Sequence, residues 1–77
     1  MNEPALGFEC DYKLLGNGLH FHVMKRYGVW WLDVMDESNP APIIATNDDL
    51  PSAVEELISK VGDDVGIGIW NWFVEKR

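Results

Sequence analysis

Tyr12-Lys13-Leu14-Leu15-Gly16-Asn17-Gly18-Leu19-His20-Phe21-His22-Val23, residues 12–23, is the stretch whose reading decides the fold. Asn-Gly readily takes the two positive φ angles of a type I′ turn, whose twist matches the flanking strands. A two-residue loop at Asn17-Gly18 predicts a hairpin in which Gly16 pairs with Leu19, Leu14 with Phe21, Lys13 with His22 and Tyr12 with Val23. A second tight turn at Tyr27-Gly28 predicts Met24 opposite Trp31, Val23 opposite Leu32, His22 opposite Asp33 and Phe21 opposite Val34.

Both turns divide residues 10–35 in the same way. One face carries Cys10, Tyr12, Leu14, Leu19, Phe21, Val23, Trp30, Leu32 and Val34. The other carries Asp11, Lys13, Leu15, His20, His22, Met24, Trp31, Asp33 and Met35. A slip of one residue would exchange the two sets, so the agreement supports the register.

Outward from this core, strands are expected over residues 8–15, 19–26 and 29–35. A turn cluster follows at 36–40, and a short fourth strand at 42–46. Pro42 cannot donate to a ladder and belongs at a strand start or on an edge. Asn47-Asp48-Asp49-Leu50-Pro51-Ser52 reads as a helix entry, with an aspartate to cap the free N–H groups and Pro51 in the first turn. Leu50, Ala53, Val54, Leu57, Ile58 and Val61 recur at helical spacing, and Gly62 ends the helix. Residues 65–74 are rich in β-branched and aromatic types and hold two glycines, which predicts a fifth strand. A second helix from near Asp64 is the alternative. Residues 1–7 show no pattern and are expected to be loose or an edge extension.

The expected fold is a single α+β domain over 1–77. It has an antiparallel meander of four to five strands with one helix on one face, in the order β-β-β-β-α-β. Seventy-seven residues, 47 % of them hydrophobic, suffice for one core. A chain this short buries only about 60–65 % of the surface it exposes unfolded, so its margin is thin. The four tryptophans supply large apolar areas to a core or anchor an interface.

Charge is unevenly placed. From Asp36 to Asp64, eight carboxylates against Lys60 alone account for the whole net charge of −7, leaving the hairpins neutral. With no basic stripe to displace counterions, direct nucleic-acid binding is not expected. A basic protein partner would be attracted. The opening residues lack the basic and apolar regions of a signal peptide, and no apolar run reaches membrane-spanning length. A cytoplasmic location is the expectation. The size and charge are common among phage-encoded and mobile-element proteins.

Few residues carry chemistry. His20 and His22 share a strand face with Asp33, a donor set that a metal could use. Lys13 is expected beside them and would repel a cation, and His-x-His alone is an unspecific pattern. A half-exposed His22 paired with Asp33 is the plainer reading. The one cysteine, Cys10, is expected as a buried core thiol on the opposite face from both histidines. That arrangement would exclude cysteine–histidine catalysis. The glycines form no phosphate loop, and adjacent carboxylates on a helix make no acid–base pair. No enzyme activity and no cofactor are expected.

The expected role is a protein–protein interaction module, for example a small acidic inhibitor or antitoxin-like protein engaging a basic surface. Met24, Trp31 and Met35 on the polar sheet face, and Asp48, Asp49, Glu55 and Glu56 in the acidic half, are the expected contact residues. That sheet face must be left open, covered by the C-terminal segment with Trp70 and Trp72, or stacked on a second copy in a homodimer. The alternatives are a small-ligand or metal-binding domain using His20, His22 and Asp33, and an accessory subunit without activity of its own.

Overall fold

Both hairpin turns form where the sequence puts them. In the computed structural model, which describes residues 10–76, Asn17 and Gly18 have φ of 56° and 78°. Tyr27 and Gly28 have φ of 54° and 77°. These are the paired positive values of a type I′ turn. The expectations for residues 1–7, and for a first strand starting at residue 8, lie outside the described residues.

Four strands follow in a meander: β1 (Cys10–Gly16), β2 (Leu19–Arg26), β3 (Val29–Asp36) and β4 (Asn39–Asn47). All neighbours are antiparallel, in the spatial order β1-β2-β3-β4. The β2–β3 register is the predicted one, with Phe21 opposite Val34, His22 opposite Asp33, Val23 opposite Leu32 and Met24 opposite Trp31. β4 begins at Asn39 rather than at 42, because a third tight connection pairs Asp36 with Asn39. Pro42 lies in this edge strand, where a missing N–H is tolerated.

The β1–β2 register departs from expectation by one residue. Gly16 does pair with Leu19, but the next pair is Leu14 with His20, so Leu15 is a bulge residue without a partner. Gly16 sits at φ 93°, in the region that suits glycine. Beyond the bulge every side chain of β1 changes sides. Tyr12 stands opposite His22, and Cys10 opposite Met24. Asp11, Lys13 and Leu15 turn to the inner face instead. Cys10 is therefore exposed on the histidine side. The expected buried thiol is corrected, and so is the opposite-face argument against a cysteine–histidine pair.

Helix α1 (Leu50–Val61) is the predicted one. Asp49 is its N-cap, accepting from the Ser52 N–H at 2.9 Å and the Ser52 hydroxyl at 2.6 Å. Leu50, Ala53, Val54 and Leu57 are buried along its inner stripe. The expected fifth strand is instead helix α2 (Asp63–Lys76), joined to α1 through Gly62. Its glycines explain the exception to propensity. A Cβ on Gly66 would stand 2.9 Å from Ile58 Cγ2, and one on Gly68 would stand 3.2 Å from Leu15 Cδ2. Close packing against α1 requires a residue without a side chain at 66, and the approach to β1 is tight at 68, although each glycine costs about 1 kcal/mol in helix propensity.

Both helices cover the same face of the sheet. Phe21, Val23, Trp30, Leu32, Val34 and Ala45 meet Leu50, Ala53, Val54, Leu57, Ile69, Trp72 and Phe73 in one core. The Phe21 and Trp72 rings meet edge to face at 5.0 Å. α2 is fastened at its far end by Asp11, which accepts from the Trp72 indole N–H at 2.7 Å and lies 3.4 Å from Lys76 Nζ. The C-terminal segment therefore does not cover the histidine face. No helix among the described residues is long and apolar enough to cross a membrane.

Candidate functional site

The sheet face opposite the helices carries an ordered polar and aromatic array. Its origin is the bulge at Leu15, which brings Tyr12 and Leu14 up beside His20 and His22. The Tyr12 hydroxyl lies 2.7 Å from His20 Nδ1, and His20 Nε2 lies 3.0 Å from Glu37 Oε2. A carboxylate only accepts, so His20 Nε2 donates to Glu37. Glu37 is placed by its backbone, whose N–H donates to the Gly18 carbonyl at 3.1 Å and ties the third turn to the first.

Beside this chain, His22 Nδ1 donates to Asp33 Oδ1 at 2.9 Å, and the Trp31 indole N–H donates to Asp33 Oδ2 at 3.1 Å. Asp33 is 9 % exposed, and both of its oxygens are engaged. The two imidazoles lie nearly parallel at 6.5 Å, with the Tyr12 ring 5.2 Å from His22 and 5.8 Å from His20.

The expected metal donors His20, His22 and Asp33 are thus neighbours hydrogen bonded to one another or to Tyr12, Glu37 and Trp31. They do not converge on a common point, and among the described residues no group of three or more His, Cys, Asp or Glu could hold a metal ion. Lys13, expected next to His22, is on the other face opposite Phe21. No hydrogen bond joins Cys10 to either imidazole among the described residues. Sequence reasoning missed Tyr12, Leu14 and Glu37 as members of this face. The signal for the first two was Gly16, a second glycine beside the Asn17-Gly18 turn, which a bulge with positive φ there accounts for.

Of the expected contact residues, Met24 and Trp31 are cross-strand partners here, and Met35 stands opposite His20. Trp31 is 39 % exposed, Tyr12 52 % and Leu14 58 %. Met24, Arg26, Tyr27, Val29, Trp31 and Asp33 line an open hollow of ≈ 570 Å³ at the β2–β3 end.

Asp48, Asp49, Glu55 and Glu56 lie on the opposite side of the molecule, with the helical layer. Their roles differ. Asp49 is engaged as the α1 cap. Glu56 pairs with Lys60 at 3.1 Å, and Lys60 also donates to the Ile44 carbonyl at 2.7 Å. Asp48 and Glu55 are exposed, as are Asp63 and Asp64 at the start of α2. The two expected contact regions are therefore separate surfaces on opposite layers.

Hydrogen bonding sets the protonation of three carboxylates. At Asp11, burial is the largest single influence and raises its pKa. Bonds from the Trp72 indole, the Tyr12 N–H and Lys76 together outweigh it, leaving the pKa below the ordinary 3.8. Asp36 is lowered by bonds from the Ser38 N–H and hydroxyl, and Asp49 by bonds from the Ser52 hydroxyl and N–H. Comparison with protein-family models, curated proteins and solved structures returned no match.

Proposed function

We propose that this protein is a non-enzymatic protein–protein interaction module, of the small acidic inhibitor or antitoxin-like kind, that engages a basic partner surface. One observation carries the reading. The carboxylates from Asp48 to Asp64 lie in or beside the two helices, and Lys60, the one cation within that segment, is already tied to Glu56 and the Ile44 carbonyl. The layer therefore presents Asp48, Glu55, Asp63 and Asp64 as negative charge that a basic surface would complement, and such complementarity acts mainly on association rate.

The test is partner capture with tagged protein, followed by association kinetics with the captured partner. Charge reversal at Asp48, Glu55 and Glu56 leaves the Asp49 cap in place. It should slow association at low salt by about tenfold or more, with the difference shrinking as salt rises. An unchanged rate at low salt overturns the reading.

A second reading rests on the open sheet face, where the ≈ 570 Å³ hollow beside Trp31 adjoins the Tyr12–His20–Glu37 and His22–Asp33 pairs. An apolar hollow with a few oriented polar groups is the usual form of a small-ligand site. Here Trp31→Ala should abolish ligand binding while leaving capture of a basic partner intact.

A further inference from the structure

The outward face of α2 is more than a solvated helix surface. Ile67, Trp70 and Val74 recur at i, i+3 and i+7, and they are 61 %, 44 % and 48 % exposed. They form a stripe that the core does not use. At its N-terminal end the stripe opens into a slot of ≈ 490 Å³ between α1 and α2, lined by Ile58, Asp63, Gly66, Ile67 and Trp70. Gly66 forms the floor of the slot, where α2 packs so closely on α1 that a Cβ would stand 2.9 Å from Ile58 Cγ2.

The slot has apolar walls, one indole and one carboxylate at its rim. Asp63 and its neighbour Asp64 make no salt bridge or side-chain hydrogen bond among the described residues. A carboxylate in the first turn suits the helix dipole, which accounts for the charge being there. The dipole does not account for a tryptophan left half exposed beside an empty apolar slot.

From this geometry, and resting on the reading of the helical layer as the surface for a basic partner, we infer that the α1–α2 slot is a receptor for an arginine side chain. That side chain would project from an amphipathic basic segment of the partner. The apolar stem of the arginine lies along Ile58 and Ile67, its guanidinium stacks on the Trp70 indole, and its N–H groups donate to the Asp63 carboxylate. Apolar side chains of the same segment cover Ile67 and Val74. A second copy of this chain is a poorer occupant, since it would bring another net charge of −7 to an acidic rim.

The probes are three short synthetic amphipathic helices, identical except that the polar face carries arginine, lysine or glutamate. Binding is read by fluorescence anisotropy at low and physiological salt. The arginine peptide should bind saturably, several-fold tighter than the lysine peptide, which lacks the planar stacking group. The glutamate peptide should not bind. Trp70→Ala and Asp63→Asn should each weaken the arginine peptide about tenfold. Trp31→Ala, on the opposite layer, should change it less than twofold. Both α2 positions are exposed, and circular dichroism checks that each variant keeps its fold.

The outcomes separate the slot from the reading beneath it. Salt-dependent binding that ignores Trp70→Ala and Asp63→Asn but falls on charge reversal at Asp48, Glu55 and Glu56 overturns the slot and leaves the acidic-layer reading standing. Loss of binding with Trp31→Ala moves the contact to the sheet and overturns the slot. No saturable binding of either basic peptide overturns both. Sedimentation showing a dimer that Trp70→Ala dissociates assigns the stripe to a second copy and overturns the arginine receptor.

Discussion

Single residues here hold conformations that their neighbours require. Tyr27 sits at φ 54° although it is not glycine, and its side chain is 98 % exposed. An aromatic residue in this region costs about 1–2 kcal/mol, whereas asparagine tolerates it. Tyr27→Asn should therefore stabilise the fold by about 1 kcal/mol and raise Tm by about 4–8 °C in a thermal melt. Because Tyr27 also lines the sheet-face hollow, the same variant should weaken any ligand held there.

Asp11 is the second such residue. Its bond from the Trp72 indole joins the first strand to the last helix, and hydrogen bonds to charged groups contribute about 1.5–3 kcal/mol. Asp11→Ala should cost that much in urea unfolding. The pH dependence has a definite sign. Asp11, Asp36 and Asp49 titrate below 3.8 in the folded chain, so in acid the unfolded chain binds more protons. Their contribution is fully present above the ordinary carboxylate value and is lost as pH falls through the folded values. The urea midpoint should drop as pH falls below about 4, and the drop should be smaller in Asp11→Asn.

At the scale of elements, α2 shows packing overruling propensity. Exchanging a mid-helix glycine for alanine normally gains about 1 kcal/mol. At Gly66 the sign should reverse, because the new methyl group meets Ile58 Cγ2 at 2.9 Å and overpacking costs about 1–3 kcal/mol. Equilibrium unfolding of Gly66→Ala should show a net loss, and adding Ile58→Ala should make the Gly66→Ala step itself favourable. The bulge in β1 follows the same logic. It exposes Tyr12 and Leu14, but it places Leu15 against the core and Asp11 within reach of Trp72. A strand whose faces follow the simple alternation would lose both anchors of α2.

Across the whole molecule there are two layers and therefore two free surfaces of different chemistry. The sheet's outer face is aromatic and hydrogen bonded, and the helical outer face is acidic with an apolar stripe. Stability resides between them. A domain of this size has about 4–11 kcal/mol in total. Trp72, 2 % exposed, joins Phe21 and Asp11 across that interface, so Trp72→Ala should cost about 3–5 kcal/mol, a large share of that total, and lower the urea midpoint steeply. Trp31→Ala, on the uncovered face, should shift the urea midpoint only slightly. Near-equal effects of the two would mean that the outer face is part of the core.

Most of the fold is local enough to read from the chain. Asn17-Gly18 and Tyr27-Gly28 place the hairpins because turn backbone angles depend on a few adjacent residues. The β2–β3 register follows from its turn alone, and α1 follows from its cap and its apolar spacing. The bulge at Leu15 and the helical state of residues 63–76 were not legible in that way. Each is settled by contacts between separate elements: Trp72 with Asp11, Gly66 with Ile58 and Gly68 with Leu15. The candidate site shares this division. His22 beside Asp33 was predicted from pairing, whereas Tyr12 joined His20 only because the bulge turned β1 over, and Glu37 because the third turn is tied to the first through Gly18. Local turn and helix signals are written in neighbouring residues, while close approach between distant elements exists only once the chain has folded.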